Sequence, residues 1–98
     1  MNETGFLAAF ERRIVNKGVH IERREYHESE SFGYWQYVFA FPNDWHGQYL
    51  LSDVAIAGAT AEGVMDENAV KFAGALADHA YERCWGEIAG KIVREMPR

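Results

Sequence analysis

The stretch FGYWQYVFAF, residues 32–41, holds six aromatic side chains and one plainly polar one, Gln36. At the two-residue period of a strand, Trp35, Tyr37, Phe39 and Phe41 fall on one face and Phe32, Tyr34, Val38 and Ala40 on the other. Neither row is polar. An antiparallel strand with one wet face alternates apolar with polar, so this strand is expected at the centre of a sheet with both faces at least partly covered. Two arrangements satisfy that demand. One helix lies on each face, or both helices lie on one face and the other meets a second molecule.

Moving outward, residues 19–28 (VHIERREYHE) alternate imperfectly, with Val19 and Ile21 on one parity and Tyr26 on the other. A bulge near Arg23 and Arg24, or an edge strand with one poorly buried half, accounts for this, and the charges discourage edge-to-edge pairing. Ser29-Glu30-Ser31 makes a polar turn into the aromatic strand. On the other side Pro42, Asn43 and Asp44 break the strand, and Trp45 and His46 sit in a loop that Gly47 ends. Residues 48–56 (QYLLSDVAI) read as a third strand, with Tyr49 and Leu51 on one side and Leu50, Val54 and Ile56 on the other. Gly58, Thr60 and Gly63 mark a loop or a short irregular helix.

The two ends of the chain supply helices. Residues 4–17 put Phe6, Leu7, Phe10 and Ile14 on one stripe, with Asn2 or Thr4 as N-cap and Gly18 as the stop. From the N-cap Asp66 onward, Val70, Ala73, Ala77, Ala80, Tyr81, Cys84, Ile88 and Ile92 recur at three- and four-residue spacing. The small residues of that face suit the bulky rings of residues 32–41 in volume. Thirty helical residues extend about 45 Å, and Gly86 and Gly90 each cost about 1 kcal/mol relative to alanine. The helix therefore bends near Gly86 or overhangs, and a break there is favoured over a second helix packing against the two glycines. The expected fold is α+β: a three-stranded antiparallel sheet flanked by an N-terminal helix, 4–17, and a long C-terminal helix, 67–94, in the order α-β-β-β-α. Ninety-eight residues make one domain, 1–98, with a radius of gyration of about 13 Å.

The net charge of −5 is unevenly distributed. Residues 1–24 carry five basic against three acidic side chains, residues 25–82 one (Lys71) against ten, and residues 83–98 four against two. An acidic middle makes nucleic acid an unfavoured partner, and it suits a basic or mixed-charge protein. Arg12, Arg13, Lys17, Arg23 and Arg24 have no stacking platform beside them, and Glu25, Glu28 and Glu30 would repel phosphate. The single cysteine, Cys84, excludes an internal disulfide and points to a reducing compartment, the cytoplasm. The N-terminal residues lack a secretory pattern, and no segment is apolar enough to span a membrane.

No catalytic, metal or cofactor pattern stands out. His79 and Cys84 lie five apart, about 140° around a helix, so they cannot form a dyad. His79 shares a face with Glu82 and Arg83, the ordinary mixture of an exposed helix. His20 and His27 are about 23 Å apart on a strand and on opposite parities, and CxxC, HExxH and phosphate-loop spacings are missing. The preferred contact site is the loop Asp44-Trp45-His46, preceded by Asn43, together with Glu28, Glu30 and Tyr34. Tryptophan gives large contact area at few rotors, although folding back of Trp45 over the sheet edge weighs equally.

The expected function is non-catalytic protein binding by a small stoichiometric inhibitor or accessory protein. The phage or mobile-element type, anti-defence or immunity, is named on the analogy of size and charge alone. Two alternatives stand beside it. One is a homo-oligomer, with a homodimer the simplest case, using the aromatic sheet face or the Gly86/Gly90 helix face. The other is a small enzyme with a pocket ringed by His27, His46 or His79 and carboxylates.

Overall fold

The computed structural model describes residues 1–96, the side chain of Asn43 excepted. Its elements run α1 (Glu3–Asn16), β1 (His20–Glu28), β2 (Gly33–Ala40), a 3-10 turn (Pro42–Asp44), β3 (His46–Ser52), α2 (Asp53–Ala59) and α3 (Asp66–Glu95). The sheet is antiparallel in the order β1-β2-β3, so the aromatic strand is central. The α-β-β-β-α order and the long last helix are as the sequence implies, with α2 inserted between β3 and α3.

Local chemistry explains most boundaries. Asn2 caps α1 by accepting a hydrogen bond from Gly5 N–H, and Gly18, at φ 84°, takes the left-handed conformation just beyond its end. The β1–β2 register slips between Ile21 and Arg23, which places the bulge at Glu22 and moves Arg23, Glu25 and His27 to one parity. The third strand corrects the sequence reading. It starts at His46, read from sequence as part of the loop, rather than at Gln48, and stops at Ser52, whose hydroxyl accepts from Val54 N–H and starts α2. Residues 53–56 thus leave the expected strand for a helix, which turns Ile56 into the core and leaves Val54 exposed. A short apolar run reads equally as strand or helix, and here the serine cap decides.

Helix α3 is continuous through Gly86 and Gly90, so the expected break does not occur. The overhang replaces it: the molecule measures 55 × 32 × 19 Å and its radius of gyration is 14.9 Å. Asp66 is the first helical residue rather than the N-cap, which is Met65.

Both long helices lie on the same face of the sheet. Tyr37, Phe39, Leu51 and Phe41 form one buried cluster with Phe6, Phe10 and Ile14 of α1 and Ala73, Ala77, Ala80, Cys84 and Ile88 of α3. The alanine row lets α3 come close to the sheet. Closest is the approach at Gly47, where an added Cβ would stand 2.8 Å from Cys84 Cβ. Tyr37, fully buried, donates its hydroxyl to Glu11 Oε2 at 3.0 Å, and Arg24 Nη1 lies 2.7 Å from the same oxygen. That network ties α1 to both β1 and β2. Burial beside this carboxylate holds the Tyr37 hydroxyl protonated well above its ordinary range.

Candidate functional site

Because the helices share one face, the opposite face of the sheet has no cover from the described residues. Its central row is Phe32, Tyr34, Gln36, Val38 and Ala40. The pairing register places His27, Glu25 and Arg23 of β1 on one side of this row and Ser52, Leu50, Gln48 and His46 of β3 on the other. Phe32 is 54% exposed and Leu50 56%, values that mark an apolar surface left open rather than a core edge.

The face has three zones along its length. At one end the His27 ring stacks on Tyr34 (centroids 5.4 Å, 18° between planes), and Phe32 leans on the same tyrosine at 5.8 Å. In the middle Gln36 Nε2 donates to Gln48 Oε1 at 3.1 Å, joining β2 to β3. At the far end Glu22, released sideways by the bulge, reaches His46 Nε2 at 3.2 Å, with the small Ala40 in the register position between their strands. Along β1, Glu25 stands between Arg23 (3.4 Å) and His27 (3.4 Å). Glu22 and Glu25 on the face and Glu30 in the turn beside it outnumber the one arginine there, Arg23, whereas Glu28 pairs with Gly33 and has the helix-side parity. The surface is therefore aromatic at the Phe32–Tyr34 end, polar in the middle and acidic along its β1 margin.

The residues chosen from sequence divide between two ends of this face. Tyr34 pairs with Ser52 and Ala40 with His46, so Tyr34 and His46 are separated by six strand positions, about 20 Å. Glu28 and Glu30 accompany Tyr34 at its end. Asp44 lies at the other end, in the turn, with φ 64°, a conformation that aspartate tolerates. Trp45 is half-buried and packs against the core cluster, the folded-back arrangement, so it presents part of its ring only. Asn43 belongs to the same loop, with its side chain outside the described residues. His46 is the first residue of β3 and faces the open side. Phe32 was placed from sequence on the row that meets either a helix or a second molecule, and the structure leaves it exposed, whereas Leu50, Glu22 and Glu25 were not proposed as contacts. Only the bulge, placed one residue later in the sequence reading, could have pointed to Glu22 and Glu25. Leu50 needed the knowledge that no helix covers its side.

The remaining chemistry-bearing groups are occupied structurally. Arg13 and Lys17 both hold Asp78, at 2.9 and 2.7 Å, and the Arg13 hydrogen bond followed by that of Lys17 lowers the Asp78 carboxyl to about 2. Arg24 is held by Glu11. These are three of the five basic residues of the N-terminal segment, and their pairing removes them from a phosphate-binding role. The Cys84 thiol is buried, which pushes it up to about 11, and it donates to Gln48 C=O at 3.4 Å. His79 meets the edge of Tyr49 on the helix side, away from His27 and His46. Among the described residues no three His, Cys, Asp or Glu side chains are grouped to hold a metal ion, and no helix is long and apolar enough to cross a membrane.

Comparison with protein-family models, with curated proteins and with solved structures finds no match to this chain.

Proposed function

We propose that the chain is a non-catalytic protein-binding domain and that the uncovered sheet face is its contact surface. The observation that carries this reading is a set of aromatic and aliphatic side chains on one sheet face, the exposed Phe32 and Leu50 and the half-buried Tyr34 and Val38, left open in a fold whose two long helices cover the other side. The acidic margin selects the partner's chemistry. A second copy seated with its β1 margin on the same margin would bring Glu22, Glu25 and Glu30 against the same carboxylates, whereas a partner with lysine or arginine around an apolar patch meets them with opposite charge. A stoichiometric inhibitor or accessory protein is the role such a surface suits.

The test is a one-to-one interaction measured by calorimetry with a partner recovered from the native host. Tyr34→Ser and Leu50→Ser, each on the open face, should weaken it at least tenfold, and Glu25→Lys should weaken it more at low salt than at high salt. Equal affinity in all three variants would remove the sheet face from the interaction.

Self-association is the second reading, and a separate observation favours it. The last three turns of α3 and its C-cap leave Trp85, Ile92, Val93 and Met96 exposed, although Trp85 also stacks on Phe41. Light scattering after size exclusion decides it: a monomer mass that does not rise with concentration would exclude a homodimer through this helix.

A further inference from the structure

The two edges of the sheet are treated differently. The β1 edge is protected by its bulge at Glu22 and by Glu22, Arg23, Arg24, Glu25 and Glu28, devices that prevent another strand from pairing there. The β3 edge, HGQYLLS, has no aspartate, glutamate, lysine or arginine, no proline and no bulge. The phase of its hydrogen bonds follows from Phe41 N–H donating to Trp45 C=O at 2.7 Å. This sets Gly47, Tyr49 and Leu51 as the residues bonded to β2, and it turns the N–H and C=O groups of His46, Gln48 and Leu50 outward. Gln48 C=O accepts from the Cys84 thiol, which confirms the direction. None of the other outward groups of these three residues bonds to another segment among the described residues.

This edge also lies in a groove. A cavity of about 630 Å³ runs around β3 and is roofed by Arg83, Glu87 and Lys91, successive turns of one stripe on α3. No ion pair engages any of these three among the described residues, so the roof presents two cations and one carboxylate to whatever lies beneath it.

We propose that the β3 edge is a strand-addition site for an extended segment of another protein that alternates acidic and apolar residues. The added strand would pair through its main chain with the N–H and C=O of His46 and Leu50 and with the N–H of Gln48, whose C=O is held by the Cys84 thiol. Its side chains then alternate between two environments. Those on the helix side stand under Arg83, Glu87 and Lys91, whose net positive charge favours carboxylates at the positions beneath Arg83 and Lys91. Those on the open side stand beside Leu50 and require apolar groups. A second copy fits this poorly, since the helix-side residues of its own β3 are Gly47, Tyr49 and Leu51, none of them acidic and two of them close-packed in its own core. The site adjoins the proposed sheet-face contact and shares Leu50 with it, and the two are told apart by Tyr34→Ser, which touches the face alone, and by charge reversal at Arg83 and Lys91, which touches the edge alone.

The test uses two labelled nine-residue peptides, one alternating valine with glutamate and one alternating valine with lysine, followed by fluorescence anisotropy at low salt. The glutamate peptide should bind saturably, at least tenfold more tightly than the lysine peptide, and should slow amide exchange at His46, Gln48 and Leu50. Arg83→Glu combined with Lys91→Glu should invert the preference, and these exposed positions leave the core intact. Gln48→Pro, which removes an outward N–H and no ladder bond, should abolish binding of both peptides. If that variant does not fold, Leu50→Glu should weaken the glutamate peptide severalfold. The proposal is overturned by an unchanged preference in the charge-reversed variant, by binding without protection of the β3 amides, or by protection of those amides in the free protein that grows with concentration alongside a dimer mass.

Discussion

Gly47→Ala tests how closely α3 is seated on the sheet. The glycine faces α3 from β3, and an added Cβ would stand 2.8 Å from Cys84 Cβ, 2.9 Å from Cys84 Sγ and 3.3 Å from Phe41 Cε2. The first two distances are well inside ordinary contact, and neither partner is the tip of a flexible chain. The helix must move outward or the strand must bow, and overpacking of this kind costs about 1–3 kcal/mol. Against that, alanine restricts the unfolded chain and returns about 0.4–1 kcal/mol. The net expectation is a loss of about 1–2 kcal/mol, which at a urea slope of about 1 kcal/mol per molar lowers the midpoint by about 1–2 M. Gly74→Ala is the matched control: it lies within α3, a Cβ there meets nothing within 4 Å, and helix propensity alone should raise stability by about 1 kcal/mol. Displacement of α3 in Gly47→Ala should also quicken the reaction of the Cys84 thiol with a disulfide reagent in the folded protein. A urea midpoint for Gly47→Ala at or above that of the parent chain would refute the close seating of α3.

Three further outcomes follow from the same contacts. Tyr37→Phe removes a hydrogen bond to the Glu11 carboxylate while Arg24 keeps its own, and should cost about 1–2 kcal/mol, read as a fall of roughly 5–15 °C in Tm. Asp78 should titrate at about 2 by carbon NMR, and replacing Arg13 and Lys17 by alanine should return it toward 3.8. Its folded value is depressed, so its contribution to stability is fully present above the unfolded value and is lost as pH falls from about 4 through about 2. The Cys84 thiol, raised to about 11, contributes in the opposite sense: its share is complete below the unfolded value and is lost as pH rises from about 9 through about 11, and a thiol reagent at pH 8 should react chiefly after unfolding. A rate at pH 8 equal to that of the urea-unfolded chain would contradict the burial of this group.

The order of elements, the central place of residues 32–41 and the two sides of that strand were determined by the sequence alone. Period-two alternation of large rings and the three- and four-residue spacing of Ala73, Ala77, Ala80 and Cys84 are local patterns, and each shows directly in the residue order. So does the stop at Gly18, which needs only its own backbone freedom. The end of β3 was less legible, because Asp53 to Ile56 carry apolar residues that fit a strand as well as a helix, and only the Ser52 hydroxyl on Val54 N–H separates the two.

Tertiary structure decided the features on which function turns. Both long helices lie on one side, and nothing in the periodicity of Phe32, Tyr34 and Val38 distinguishes a face covered by a helix from a face left open, since apolar residues serve both. Glu22 and His46 meet only because β1 and β3 flank the same strand with Ala40 between them, and the two residues are distant in sequence. Gly86 and Gly90 do not break α3, because a local cost of about 1 kcal/mol each is small beside the packing of the helix on the core from Ala73 through Ile88. Sequence thus supplied the aromatic strand and its two faces. The side on which the helices settled made one of those faces a core and the other a surface.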